Sequence, residues 1–139
     1  MMVGRNVALT LIVGLAVAAI VLEYPPAAWT QIQTAGLCLM VLGLILWTVA
    51  RFQLGSSLTV SAQAKQLVSR GLYSRIRNPI YVFGSCVIAG LILELGRPVW
   101  LLVFLAVIPL QIWRARKETQ VLDAKFGEEY RRYRSTTWF

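Results

Sequence analysis

Arg114 and Glu118 stand four residues apart, just beyond the uncharged run from Pro98 to Trp113. On a helix that spacing puts both on one face. Glu118 suits a cationic or hydroxyl-bearing ligand, and Arg114 can fork onto an anionic one. Charged residues that face inward at a membrane boundary are candidate site residues. The same pair would also serve as an ordinary ion pair or as interface anchors. Tyr73, Asn78, Pro79 and Tyr81 form a second group. Pro79 fixes the turn into the next apolar run and stiffens Asn78 before it. Tyr73 and Tyr81 can pack on a flat ring or anchor at the water interface.

Other chemistries are excluded. The chain has no histidine, which removes the commonest general base and the commonest metal ligand. Ser-His-Asp and Cys-His catalysis are therefore impossible. Cys38 and Cys86 each sit inside an apolar run and read as buried thiols. No zinc-ligand spacing exists, so no metal is expected. The net charge is +8, but the basic residues lie in the central loop and the tail, flanking apolar spans. A cytoplasmic membrane face accounts for that placement, and no nucleic-acid partner is expected.

The elements that must position these residues are membrane helices. Of 139 residues, 58% are hydrophobic and 14% charged, against about 25% charged in a soluble domain. Mean hydropathy is +0.65. The expected fold is all-α: one polytopic bundle, residues 1–139, with four transmembrane helices and an amphipathic cytoplasmic helix at the C-terminus. Residues 1–51 hold two spans, Asn6 to Leu22 and about Trp29 to Ala50, closed by Arg51. The first reads as a retained span. Ala16-Val17-Ala18 leaves a cleaved leader as the alternative. Gly36 and Gly43 allow close helix contact without a G-x-x-x-G motif.

Residues 52–79 form a basic loop, and residues 80–113 a short hairpin of two spans, about Ile80 to Leu93 and Pro98 to Trp113. Each uncharged stretch is about 24 Å long, short of the roughly 30 Å hydrocarbon core. The segment from Arg51 to Arg77 has five basic residues and no acid, whereas Glu23 and Glu94 sit in the outer connections. The positive-inside rule then places the loop and both termini in the cytoplasm. The hairpin brings Pro79 and Arg114 together. In the tail, 114–139, Leu122, Phe126, Tyr130 and Tyr133 recur as one helical stripe. Gly127 breaks or kinks it, which leaves Glu128 and Glu129 in the first turn of a new helix, where acids are favoured.

Two motifs in this order resemble a known family. Gly71-Leu72-Tyr73, then Arg77-Asn78-Pro79-Ile80-Tyr81, is followed by Glu118, Leu122, Phe126-Gly127, Tyr130 and Tyr133. The pattern is similar to that of the isoprenylcysteine carboxyl methyltransferases, within a wider group that includes the phospholipid methyltransferases. Those motifs usually read G-x-Y-x-x-x-R-H-P-x-Y and E-E-x-x-L-x-x-x-F-G-x-x-Y-x-x-Y. The resemblance covers about residues 65 to 133. It implies a membrane methyltransferase that uses S-adenosylmethionine. It further implies a cofactor pocket of Lys65, Gln66, Leu67, Val68, Tyr73, Asn78, Pro79, Ile80, Tyr81 and Glu118, with Arg114 on the substrate carboxylate. Arg114 and Glu118 would be the catalytic pair. Asn78 replaces the usual histidine and Thr119 the second glutamate, while Lys65 stands where some members have a loop histidine. Asparagine donates and accepts hydrogen bonds but does not titrate.

Esterifying a carboxylate needs no general base, because the acid is already ionised at pH 7. A site without histidine is therefore compatible with methylation of a lipid-like or prenylated carboxylate. N-methylation of a phospholipid amine is the alternative, and that acceptor must first lose a proton. A non-enzymatic protein whose basic loop and tail bind anionic membrane lipid or a partner would also explain the charge.

Overall fold

The computed structural model describes residues 2–55 and 67–138. Among them every regular element is helical: α1 (Met2–Glu23), α2 (Gln31–Leu54), α3 (Pro79–Glu94), α4 (Phe104–Phe126) and α5 (Glu128–Thr136). Short 3-10 turns occupy Gly71–Ser74 and Pro98–Val103. Three helical segments are long and apolar enough to cross a membrane: Asn6–Glu23, Gln31–Leu54 and Pro98–Phe126. The fourth, α3, has 16 residues, about 24 Å at the helical rise. An all-α membrane bundle is thus the architecture.

Local sequence explains the ends. Pro25 and Pro26 stop α1, since neither can continue a helix. Thr30 caps α2: its Oγ1 accepts from the Gln33 backbone N–H at 3.2 Å, and the Gln33 side-chain Oε1 accepts from the Thr30 backbone N–H at 3.2 Å. Pro79 occupies the first turn of α3, where its missing N–H is not needed. Gly96, at φ +66°, makes the tight turn toward α4 that a side chain would strain.

Two boundaries differ from those expected. α2 does not stop at Arg51 but runs one more turn, to Leu54. Arg51 in the last turn complements the carbonyl end of the helix, stacks over Trp47 at 5.0 Å and donates to Asn6 Oδ1 of α1 at 3.3 Å. The helix of the fourth span does not end at Trp113 either: α4 continues through Arg114 to Phe126 as one helix, so the tail begins on the same helix. Gly127, at φ +50°, ends it, and α5 begins with Glu128 and Glu129 as expected.

The core of the bundle is the antiparallel contact of α2 with α3. Gly36 abuts Gly90, Leu93 and Glu94, while Gly43 meets Cys86 and Val87. Gly90 in turn faces Met40 and Gly36. Small residues let the two backbones approach closely, the usual way helices gain packing energy inside a membrane. A Cβ on Gly90 would fall 2.6 Å from the Gly36 carbonyl oxygen and 2.7 Å from Met40 Cα. Both obstacles are backbone, so the helices must separate. Gly90→Ala should cost about 1–3 kcal/mol, read as a lower midpoint in thermal unfolding of the detergent-solubilised protein. Gly84→Ala is the contrast, since it would meet Trp47 at 3.6 Å, ordinary van der Waals contact.

α3 packs closely on α2 and only sparsely on α4. A cleft therefore runs between α3 and α4.

Candidate active site

The loop before α3 is pinned from three sides. Gln53, in the extra turn of α2, accepts a hydrogen bond from the Leu72 amide at 2.8 Å. The Tyr133 hydroxyl of α5 donates to the Tyr73 carbonyl at 2.6 Å. The Trp138 amide donates to the Arg75 carbonyl at 2.8 Å, and the Arg75 guanidinium lies over the Trp138 ring at 5.7 Å. These contacts bury Tyr73, which is 6% exposed, within electrostatic reach of Glu118 on α4.

There the two groups of expected residues meet. The Tyr81 hydroxyl donates to Glu118 Oε1. No further hydrogen bond to Glu118 is made among the described residues. Arg114 is exposed but lies within electrostatic reach of the Tyr81 hydroxyl. The buried Tyr73 hydroxyl also feels Glu118 through space. Its ionisation is pushed up, first by burial and then by the neighbouring Tyr133 and Glu118. Thr119, where a second acid was the family pattern, accepts instead from the Tyr130 hydroxyl at 3.2 Å, fastening α5 to α4.

The cleft between α3 and α4 encloses about 840 Å³, within the usual size of a small-molecule site. Its polar end carries Arg77, Asn78, Tyr81, Arg116 and Arg134. Its other end is apolar, with Leu39, Ala89, Phe104 and Ile108. Gln111 Nε2 donates to Ser85 Oγ across the cleft at 3.0 Å.

Of the expected cofactor residues, Asn78 and Tyr81 line this cleft. Tyr73 and Pro79 are buried beside it, and Leu67, Val68 and Ile80 are half-buried. Lys65 and Gln66 lie outside the described residues. Glu118 reaches the cleft wall through Tyr81, and Arg114 is not part of the lining.

Sequence reading missed Gln53, Tyr133 as an anchor, and the cleft arginines 116 and 134. One signal was available for α4: Ile108, Gln111, Ile112, Ala115, Thr119 and Gln120 line the cleft at helical spacing. Nothing in the sequence tells which face of α5 turns back onto the loop.

The Tyr133 contact gives a testable pH dependence. Burial, with Tyr130 beside it, pushes the Tyr133 hydroxyl up to about 12, above the usual value near 10. The folded state then holds this proton more tightly than the unfolded chain. Its contribution to stability is complete below about pH 10 and is lost as pH rises toward 12. Tyr133→Phe should cost about 1 kcal/mol at neutral pH and flatten the alkaline decline, both readable in thermal melts between pH 7 and 12.

A family model described as phospholipid methyltransferase matches residues 32–129. That span includes α2, α3, α4 and the loop that carries Tyr73. No curated protein matches the chain.

Proposed function

The chain belongs to the phospholipid methyltransferase family, and on that premise we propose that it methylates a lipid-tailed acceptor with S-adenosylmethionine as donor. The acceptor group of first choice is a carboxylate, as on an isoprenylcysteine-like molecule. The observation that carries the reading is the junction of Tyr81 with Glu118, with Tyr73 buried behind it and Arg114 beside it.

The donor set fits this cofactor. S-adenosylmethionine bears a sulfonium, an ammonium and ribose hydroxyls, and it supplies an electrophilic methyl group when bound. Glu118, with one oxygen taken by Tyr81, can hold a cationic or hydroxyl-bearing group. Tyr73, Asn78, Pro79 and Tyr81 would surround the rest. Arg114 would draw in the acceptor carboxylate. The remaining task of the residues is placement, which can supply a large part of a rate enhancement by itself. The polar end of the cleft would open to the cytoplasm for the cofactor. The sparse contact of α3 with α4 leaves an apolar flank for a lipid tail.

N-methylation of a phospholipid amine is the second reading, favoured by the family description. The ammonium must then lose a proton, and Glu118 is a carboxylate hydrogen-bonded to the cleft wall through Tyr81. Purified protein incubated with methyl-labelled cofactor and a lipid extract separates the two. Label released by mild base is an ester, and label that survives is a methylated amine. Failure of the purified protein to bind S-adenosylmethionine would instead favour a non-enzymatic lipid-binding protein.

A further inference from the structure

Three tryptophans lie toward the end of the bundle that carries the candidate site, each with a cation over its ring. Arg51 covers Trp47 at 5.0 Å, Lys117 covers Trp113 at 3.8 Å, and Arg75 covers Trp138 at 5.7 Å. Trp47 and Trp113 stand where α2 and α4 pass from apolar sequence to their first arginines, Arg51 and Arg114. That is the usual place for an indole, apolar in its body and polar at its N–H, in the head-group layer of a membrane. Trp138 belongs to no spanning helix, yet it is 69% exposed. It follows α5 through extended backbone at Thr137, and its amide is bonded to the Arg75 carbonyl at 2.8 Å. Arg75 lies four residues before Pro79, where α3 begins. The contact therefore sets Trp138 beside the entry of a spanning helix, at the membrane boundary.

The tail grips the loop at two carbonyls. The inner grip, from the Tyr133 hydroxyl to Tyr73, is buried. The outer grip rests on one backbone hydrogen bond and one ring contact, and both Arg75 and Trp138 are exposed. In water such contacts are worth only about 1 kcal/mol each, too little to hold a chain end firmly. We propose that Trp138 is a membrane anchor. Its indole enters the phospholipid head-group layer beside Arg75, whose guanidinium is drawn to lipid phosphate. The bilayer thereby holds the tail closed on the loop that carries Tyr73. This goes beyond the proposed function and does not depend on it.

The test uses the full chain in phosphatidylcholine nanodiscs. The emission lost in Trp138→Phe isolates this indole from the other four tryptophans. Lipid brominated near the head-group end of its acyl chains should quench that share of the emission, and lipid brominated near the chain ends should quench it less. Quenching by aqueous acrylamide but by neither lipid overturns the anchor. So does quenching by none of the three, which would place a protein surface over the ring. Hydrogen exchange then reads the loop. Trp138→Ala should lower the protection of the Leu72 to Ile76 amides by about fivefold or more, through loss of the ring contact and of the anchor. Trp138→Tyr keeps an aromatic suited to the interface and should stay within about twofold of wild type. Unchanged protection in Trp138→Ala removes the coupling to the loop. An equal loss in Trp138→Ala when the protein is held in a lipid-free amphipathic polymer assigns the ring to Arg75 alone and overturns the role of the bilayer.

Discussion

Glu118→Ala should abolish measurable binding of S-adenosylmethionine while leaving the helices intact. The carboxylate is half-buried at the end of the cleft wall and holds the Tyr81 hydroxyl. Removing it has two consequences. A ligand cation or hydroxyl loses a charge-assisted bond worth about 1.5–3 kcal/mol. The Tyr81 hydroxyl also loses its acceptor and is free to turn away from the position that would face the ligand. Together these amount to a fall in affinity of about a hundredfold or more. Glu118→Gln retains the shape and an accepting oxygen without the charge, so it should fall between the two. Calorimetric titration of purified wild type and both variants reads all three values. Unchanged affinity in Glu118→Ala would remove the carboxylate from the cofactor site. Tyr81→Phe should show a smaller loss, because it deletes only the neutral partner of the pair.

Why Glu118 could be found from sequence, and Gln53 could not, is a matter of range. Glu118 and Arg114 lie four apart on one helix, so their shared face is fixed by local geometry. The meeting of that face with Tyr81 followed from a hairpin whose first and last residues must lie side by side. Local pattern also gave Gly36 and Gly43 as points of close helix contact, though not α3 as the partner, and the new helix beginning at Glu128. Gln53 depends on α2 running past Arg51, and a charged residue there read as a stop. In the structure Arg51 is held by Trp47 and Asn6, a tertiary effect that local pattern does not carry.

Glu94 shows the same limit in the other direction. Next to Gly96 and Arg97 it read as an acid in an outer turn, yet it is fully buried and Arg97 stacks on Trp100 at 5.5 Å instead. Arg77 read as a marker of membrane sidedness. Its place in the cleft depends on how α3 and α4 diverge, which no spacing in one strand of sequence encodes. The return of α5 onto Tyr73 likewise turns on the backbone at Gly127, where φ is +50°. The glycine announced a break but not its direction.

Arg114→Gln is expected to raise the KM for the acceptor by about tenfold or more, with cofactor affinity within about twofold of wild type. The guanidinium is exposed, close to the Tyr81 hydroxyl, and one turn from Glu118. From there it can meet a carboxylate brought to the mouth of the cleft, and among the described residues it forms no ion pair with an acid of its own. A purely structural arginine would behave differently. It would act by holding Tyr81 and Glu118 in place, and its loss would weaken the cofactor in step with Glu118→Gln. Steady-state kinetics at saturating cofactor, paired with cofactor titration, separates these outcomes. Arg114→Lys sharpens the test, because lysine keeps the charge but not the fork. Partial rescue by lysine indicates attraction of an anion, and no rescue indicates two-point recognition of a carboxylate. A variant that left acceptor KM untouched and lowered cofactor affinity would move Arg114 from the acceptor to the support of Glu118.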